Sequence, residues 1–262
     1  MIIIGERLNS SRGAVLTAMS ARDENFLVEQ ALEQEKAGAA YIDLNSAALM
    51  EGEVDGLGWM IPLLQGRLHV PLSIDSPDPE AMAAGLRLHQ GQALLNSLSG
   101  ETKRWQALLP LIREYKPKVI VLCLDDDGMR KDARGIFSVA ARLVDRLVRE
   151  GVAREDILLD PLVHPVGVDT EAPGLFLGAL RLIKKEMPSI KTVAGLSNVS
   201  FGLPERKLIN RTFLTLAMAE GLDAAILDPL DKNLMETLVA AEALLGKDPS
   251  LKAYIKHTRR KN

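Results

Sequence analysis

The sequence predicts a single α/β domain with the (β/α)8 TIM-barrel fold over residues 1–262. Three observations predict this fold class. The length fits one large α/β barrel. Short apolar runs alternate eight times with amphipathic segments of helical period. These runs are apolar at every position, as is required of strands that are buried on both faces of a parallel sheet.

The predicted strands are rich in Val, Ile and Leu, and a polar residue follows most of them. They cover residues 2–4, 40–44, 70–74, 93–95, 119–124, 157–159, 192–196 and 224–227. Consecutive strands start roughly thirty residues apart, which leaves room for one helix in each connection. Right-handed crossovers of this length make the strands parallel, and eight of them favour closure into a barrel.

The predicted helices are placed by their caps and by the glycines that follow them. They cover residues 23–36, about 57–65, 78 onward, 102–114, 132–149, 171–187, 208–220 and 231–245. Asp78 before Pro79 is typical of a helix start, and Gly38 and Gly151 are typical of helix ends. An open doubly wound sheet is the main alternative fold. Residues 5–9 lack the glycine-rich phosphate turn that such a sheet usually has after its first strand.

Composition and charge narrow the function classes. A net charge of −3 and a pI near 5.9 do not indicate the excess of basic residues that nucleic-acid binding needs. The basic residues 257–261 are expected to be a solvated chain end. No apolar run is long enough to span a membrane, and residues 1–7 are interpreted as a strand rather than a targeting signal. The single cysteine, Cys123, excludes an internal disulfide and a multi-cysteine metal centre. We therefore expect a cytoplasmic protein that binds neither nucleic acid nor a membrane.

The residue that closes each apolar run is the candidate for chemistry, because barrel enzymes react at the carboxyl ends of their strands. Acidic, amide or hydroxyl side chains stand at these ends: Glu6, Asn9, Asp43, Asn45, Asp75, Asn96, Asp125, Asp160, Ser197, Asn198 and Asp228. Side chains two apart in a strand point the same way, so Asp43 is expected above Tyr41 and Asp75 above Ser73. Asp43 and Asp228 are the most ordinary candidates for helix caps. The pattern predicts a pocket that accepts hydrogen bonds.

Lysines and histidines are badly placed for two common kinds of barrel chemistry. Lys116, Lys118 and Lys191 precede their strands, so a Schiff-base aldolase is disfavoured. Of the histidines, only His164 follows a strand, and we interpret it as a loop residue rather than a metal ligand. The acidic run at 125–128 is interpreted mainly as a solvated turn.

The carboxylates at the strand ends fit two kinds of ligand. Asp43, Asp75 and Asp160 could together hold Mg²⁺, as in a metal-dependent barrel lyase, and activity abolished by a chelator would support that alternative. The same residues fit an organic ligand with a planar pair of donors. The 2-amino-4-oxopyrimidine edge of a pterin is such a ligand, because one carboxylate accepts its ring N–H and its amino group together.

Seven short motifs lie in register with the predicted strands. They are IIGERLN (3–9), DLN (43–45), SIDS (73–76), NS (96–97), LDPL (159–162), GLSNVS (195–200) and LINRTF (208–213). Together they resemble the methyltetrahydrofolate:corrinoid protein methyltransferases of the pterin-binding barrel superfamily. The resemblance implies methyl transfer between N5 of (methyl)tetrahydrofolate and the cobalt of a corrinoid, such as cobalamin, on a partner protein. It also implies a homodimer.

The same resemblance implies the roles of individual residues. Asp75, Asn96 and Asp160 match positions that hold the pterin, with Asp160 accepting the ring N–H and the amino group. Asn198 matches the asparagine beside N5, and it is expected to be catalytic together with Asp75. The implied substrate-binding residues are Glu6, Asp43, Asp75, Asn96, Asp160, Gly195, Ser197, Asn198 and Arg206, with Arg206 near the benzoyl-glutamate end. Phe201 stands where close relatives carry a glutamine.

Two other functions compete with this one. Dihydropteroate synthases share the barrel and the pterin carboxylates, but this chain lacks their lysine at a late strand end and their Ser-x-Arg motif near the last strand. A non-catalytic folate-binding subunit is the second alternative. An Asn198→Ala variant that binds methyltetrahydrofolate and still transfers methyl at the wild-type rate would favour that alternative or another catalytic group.

Overall fold

The computed structural model describes residues 1–259, in which eight parallel strands form a closed barrel in chain order. The strands are β1 (Ile2–Asn9), β2 (Tyr41–Asn45), β3 (Leu72–Asp75), β4 (Leu94–Gly100), β5 (Lys118–Asp125), β6 (Ile157–Asp160), β7 (Lys191–Gly195) and β8 (Ala224–Leu227). β8 closes the barrel by pairing with β1, where Ala224 lies beside Ile2. The predicted fold class is confirmed, and all eight predicted strands are present.

Helices connect the strands and surround the barrel. They are α1 (Gly13–Ala21), α2 (Glu24–Lys36), α3 (Glu53–Gln65), α4 (Pro79–Leu88), α5 (Thr102–Tyr115), α6 (Ala133–Arg149), α7 (Ala172–Glu186), α8 (Arg206–Ala219), α9 (Lys232–Leu244) and α10 (Lys252–Arg259). The sequence predicts α2 to α9 and misses α1 and α10. Residues 257–259 of the basic tail lie in α10, which buries none of its side chains, and residues 260 and 261 lie outside the described range. Among residues 1–259, no helix has both the length and the apolar character needed to cross a bilayer.

The helix α1 was missed because its sequence carries no start signal. It has only nine residues, and its first turn has neither a capping side chain nor an acidic residue. Its buried side chains are Val15, Ala18 and Met19, which pack against the rest of the barrel core. Tertiary packing, rather than local propensity, therefore stabilises this helix.

The strands β1 and β4 continue past the predicted apolar runs. The added residues include Glu6 in β1 and Asn96 in β4, and both are polar. Backbone pairing in a sheet does not require an apolar side chain, so the ladder extends as long as the neighbouring strand is within reach. The carboxyl ends of the strands consequently carry polar side chains into the mouth of the barrel.

An apolar plug fills the barrel interior below that mouth. Its buried inward-facing side chains are Ile4, Leu94, Ile120, Leu158, Val193 and Ala224. Because side chains two residues apart point the same way, the next inward positions above the plug include Glu6, Asn96, Asp160 and Gly195. By the same alternation Asp43 lies above Tyr41 in β2, and Asp75 lies above Ser73 in β3, as predicted. We refer to Glu6, Asp43, Asp75, Asn96 and Asp160 as the polar layer.

Candidate active site

Asp43 lies at the centre of the polar layer, and only 2% of its surface is exposed. Its Oδ1 accepts the Ser73 hydroxyl at 2.6 Å and the Asn96 side-chain amide at 3.1 Å. Burial, reinforced by the nearby Asp75 carboxylate, raises the pKa of Asp43 well above its usual range, although these two hydrogen bonds oppose the shift. The interpretation of Asp43 as a helix cap was therefore wrong. Asn45, two residues later, accepts the backbone N–H of Ala47 at 3.2 Å in the turn that follows β2.

The hydrogen bond to Asp43 fixes which way the Asn96 amide faces. Nδ2 of Asn96 is occupied as a donor, and its carbonyl oxygen has no partner among residues 1–259. Asn96 therefore offers an acceptor to the mouth of the barrel. A ligand that fits this position presents an N–H donor.

Asp75 is held beside Asp43 by Asn45, one of the predicted strand-end residues, while Arg104, which no sequence pattern indicated, lies nearby. Oδ2 of Asp75 accepts the side-chain amide of Asn45 at 2.8 Å. Burial raises the pKa of Asp75 to about 6, while the bond from Asn45 and the positive charge of Arg104 oppose the shift. A cleft of about 490 Å³ opens beside Asp75, and Arg104 lines its wall.

Arg104 ties the loop after β3 to strand β4 at the border of this cleft. Its guanidinium donates to the carbonyl oxygens of Ser76 and Pro77 after β3, and to that of Ser97 in β4, at 2.6–3.0 Å. Because Arg104 lies inside α5, far from Asp75 in sequence, no local pattern could have placed it at the site. The predicted acceptor pocket thus has an arginine in its wall.

Asp160, the last residue of β6, is a buried carboxylate with 6% of its surface exposed. Its Oδ1 accepts the backbone N–H of Leu162 at 2.8 Å. Burial raises the pKa of Asp160 to about 7, and backbone N–H groups of Leu162 and Gly195 oppose the shift. Asp160 can therefore change its protonation state close to neutral pH.

Glu6 faces the mouth from β1 and contacts the loop after β7. Both of its carboxylate oxygens accept the Ser197 hydroxyl, at 2.7 and 2.8 Å, and Arg12 lies 3.5 Å away. Burial raises the pKa of Glu6, although Ser197 and Arg12 oppose the shift. Arg12 also lies 3.7 Å from Asp228, so it balances two acidic groups at this edge of the mouth.

Asn198 stands on a 3-10 turn, Leu196–Ser200, that follows β7. The residue is exposed, and its side-chain amide makes no hydrogen bond with any residue in the range 1–259. Gly195 leaves the space that this amide uses: a Cβ added at Gly195 would lie 2.9 Å from Nδ2 of Asn198. Asn198 is thus a free donor beside the inward-facing position of Gly195.

Arg206 begins α8 and folds back over this turn. Its Nη2 donates to the backbone carbonyl of Ser197 at 2.8 Å, and its Nε donates to the Ser200 hydroxyl at 3.1 Å. The guanidinium also lies 5.9 Å from the ring centre of Phe201, which is 66% exposed. Two of its three nitrogens are therefore engaged with the protein.

The remaining strand-end residues lie outside the polar layer. Asp125 points away from the barrel interior and pairs with Arg130 at 3.0 Å and with Arg142. The run 125–128 forms the predicted turn, but Asp125 itself is buried rather than solvated. Asn9 caps a local turn, and Asp228 accepts Arg7 at 3.0 Å and the backbone N–H of Leu230. The N-cap of α9 is Asp231, so the interpretation of Asp228 as a helix cap was wrong.

Lysines and histidines lie where the sequence predicts. Lys118 and Lys191 are the first residues of β5 and β7, at the end of the barrel opposite the polar layer. His164 is an exposed loop residue, and His89 accepts the backbone N–H of Leu72 at 3.1 Å near the start of β3. Within residues 1–259, no three His, Cys, Asp or Glu side chains are grouped so that they could hold a metal ion. The magnesium alternative therefore finds no ligand set in this part of the chain.

Sequence comparisons point to enzymes that bind pterins. The chain matches the family model described as pterin binding enzyme over residues 5–228. It is similar to the methylcorrinoid:tetrahydrofolate methyltransferase of Eubacterium limosum, with 35% identity over 258 residues, which cover 98% of this chain and 95% of that protein. It is also 30% identical over 240 residues to the methionine synthase of Mycobacterium tuberculosis; that match covers 86% of this chain and 20% of the synthase.

Solved structures of dihydropteroate synthases share the fold. The Yersinia pestis enzyme with a pterine-sulfa conjugate has a TM-score of 0.71 and 16% identity, covering 94% of this chain and 93% of that one. The Thermus thermophilus enzyme has a TM-score of 0.67 and 20% identity, covering 93% of this chain and 94% of that one. At these identities the likeness shows the barrel fold alone.

Proposed function

The chain belongs to the family of pterin binding enzymes, and from this premise we propose that it is a methyltransferase acting between N5 of (methyl)tetrahydrofolate and the cobalt of a corrinoid on a partner protein. One observation carries the proposal. The free acceptors of Asp75, Asn96 and Asp160 converge on the mouth of the barrel, next to the turn that presents the unpartnered amide of Asn198. A reduced pterin needs both kinds of group.

The polar layer supplies the acceptors for the pterin ring. Asp160 accepts the ring N–H and the exocyclic amino group, because a carboxylate matches such a planar donor pair. The oxygens of Asn96 and Asp75 that the protein leaves free are the acceptors available to the remaining ring N–H, that of N8. Asp43 and Asn45 lie behind these two residues and fix their orientation.

The chemical problem is that a tertiary amine is a poor leaving group. N5 must gain a proton or a strong hydrogen bond as its bond to the methyl group breaks. Asn198 donates that bond from its free amide, so it stabilises a charge that develops mainly near the transition state. Asp75 helps to supply the proton, because a pKa of about 6 allows it to carry one near neutral pH. No covalent intermediate with the protein is required.

The methyl acceptor or donor on the other side is the corrinoid. It supplies the cobalt at which the methyl group is bound, and it approaches from above the mouth on a separate protein.

We propose that the chain acts as a homodimer in the cytoplasm. The family resemblance supports the homodimer, and exposed apolar side chains on α8, α9 and α10, namely Leu216, Leu244 and Ile255, are available to such an interface. The single buried thiol of Cys123 supports a reducing compartment.

Free cob(I)alamin provides a direct test of the proposed function. The purified chain is mixed with methyltetrahydrofolate and reduced cob(I)alamin, and loss of the Co(I) absorption band is expected as methylcobalamin forms. An Asn198→Ala variant should bind methyltetrahydrofolate with nearly unchanged affinity but transfer methyl about 10²-fold more slowly. Absence of folate binding in a calorimeter would exclude the proposed function, and wild-type transfer rates in the variant would favour another catalytic group.

A further inference from the structure

The position of Asn198 depends on the residues around it rather than on its own contacts. Leu196 and Val199 are each 1% exposed and anchor the turn from below. The Asn198 side chain itself makes no hydrogen bond within residues 1–259, which keeps it available for a ligand. The groups that hold the rest of the turn therefore decide where this amide stands.

Glu6 holds the turn from the barrel side. The Ser197 hydroxyl has one proton, and that proton is shared between both oxygens of Glu6, at 2.7 and 2.8 Å. The Glu6 side chain is 19% exposed, and Arg12 lies 3.5 Å from the same carboxylate. Both oxygens of Glu6 are thus directed at protein groups.

Arg206, at the start of α8, holds the same turn through other groups. It donates to the Ser197 carbonyl oxygen at 2.8 Å and to the Ser200 hydroxyl at 3.1 Å. Ser197 is therefore fixed through its side chain by Glu6 and through its backbone by Arg206. Asn198 lies between the two fixed serines, which leaves little freedom for its Cα.

From this geometry, and resting on the proposed methyl transfer, we infer that Glu6 is a positioning residue: acting through Ser197, it holds the turn so that the Asn198 amide reaches N5. The family resemblance implies that Glu6 and Ser197 bind substrate. The contacts assign them instead to the support of Asn198, with Arg206 as the outer support. Since the pterin is held by other side chains, losing this support should slow transfer rather than weaken binding.

A set of variants separates this role from direct substrate binding. Ser197→Ala removes the hydroxyl that donates to Glu6, and Glu6→Ala removes the acceptor. Each should lower kcat by about 10- to 100-fold, while the Kd for methyltetrahydrofolate changes by less than about threefold. Glu6→Gln keeps an oxygen that accepts the Ser197 hydroxyl, so it should retain most of the wild-type kcat.

Combined variants test whether Glu6 acts through Ser197 and Asn198. The double variant Glu6→Ala/Ser197→Ala should be no slower than the slower single variant, because both remove one contact. In an Asn198→Ala background, Glu6→Ala should have no further effect on kcat. A merely structural role of Glu6 would not produce this dependence on Asn198.

A matched control lies at the opposite end of the barrel. The Thr192 hydroxyl donates to the Asp223 carboxylate at 3.1 Å, so Thr192→Val removes a contact of the same chemical type. This variant should lose stability in urea unfolding and keep the wild-type kcat. The unfolding free energies of the Glu6 and Ser197 variants, measured in urea, show whether those variants are folded.

Two results would overturn the inference while leaving the proposed function intact. The first is a Kd raised about tenfold or more by Glu6→Ala at unchanged kcat, which would place Glu6 against the substrate. The second is full additivity of Glu6→Ala with Asn198→Ala. A wild-type chain that neither binds nor demethylates methyltetrahydrofolate would overturn the proposed function, and the inference with it.

Discussion

Asn96 donates its side-chain amide to Oδ1 of Asp43 at 3.1 Å, and the same oxygen accepts the Ser73 hydroxyl at 2.6 Å. The carbonyl end of Asn96 therefore faces the mouth of the barrel. The Asp43 carboxylate, whose pKa burial raises, lies behind Asn96 and contacts protein groups.

Removing the acceptor at residue 43 should weaken pterin binding. In Asp43→Leu, the amide of Asn96 loses its fixed orientation, and we expect the Kd for methyltetrahydrofolate to rise about tenfold, the equivalent of one neutral hydrogen bond. Calorimetry measures this change. Ser73→Ala is the control, because it removes the other donor to Asp43 and leaves the Asn96 contact; equal losses in both variants would contradict the orienting role.

A methyl group at residue 195 should disturb catalysis more than folding. The added Cβ of Gly195→Ala would meet Nδ2 of Asn198 at 2.9 Å, and only that side-chain amide has to move. We expect kcat to fall by about 10- to 100-fold with little change in urea unfolding. Gly174→Ala in α7 adds the same methyl group into open space and should keep the wild-type kcat. An unchanged kcat in Gly195→Ala would mean that the observed position of Asn198 is not the active one.

Folate affinity should depend on pH through Asp160 and Asp75. Their pKa values of about 7 and about 6 mean that both carboxylates are ionised above neutral pH and take up protons as the pH falls. A protonated carboxyl loses acceptor capacity, so the Kd should rise by up to about tenfold per pH unit below pH 7, and more steeply below pH 6. Titrations between pH 5 and about 8.5 test this, and a flat profile would contradict it.

The Asp160→Asn variant should be more stable than the wild type at high pH. Burial carries the pKa of Asp160 from 3.8 to about 7, so the folded state disfavours the charged form. The stability linked to this group is fully present below the unfolded pKa of 3.8 and is lost as the pH rises to about 7. The asparagine side chain in the variant keeps an acceptor for the Leu162 N–H and has no charge to bury.

We therefore expect the variant to gain roughly 1–3 kcal/mol in unfolding free energy at pH 8 and to gain less at pH 5. Its affinity for methyltetrahydrofolate should fall at the same time, because the paired acceptor is lost. Urea unfolding at the two pH values gives the comparison. A variant that is less stable than the wild type at pH 8 would show that the charged form of Asp160 is stabilised in the fold.

Asp125 should matter for stability and not for binding. It ends a strand as Asp160 does, but it pairs with Arg130 and Arg142 on the outer side of the barrel. Asp125→Asn should lower the unfolding free energy by about 1–2 kcal/mol, less than a fully buried pair because Arg142 is half exposed. The Kd for methyltetrahydrofolate should stay unchanged, and a weakened affinity would show that this loop takes part in substrate binding.

The contrast between Asp125 and Asp160 shows where sequence reasoning stops. Both residues close an apolar run, and the run before Asp125 is apolar at every position. Continuous apolarity reveals that a strand is buried on both faces, but it cannot tell which side chains face the barrel interior. The register irregularities between β4 and β5 make the direction of Asp125 still harder to predict, because they change the strand pairing where β5 ends.

Eight strands, their order and the polar mouth of the barrel could be predicted from the chain alone, because apolar runs, caps and strand spacing are local properties. The partners of the polar groups could not. Arg104 comes near Asp75 from a helix, Ser197 bonds Glu6 across 191 residues of sequence, and Asp43 orients Asn96. Contacts between residues distant in sequence depend on barrel closure and side-chain direction, which no local pattern encodes.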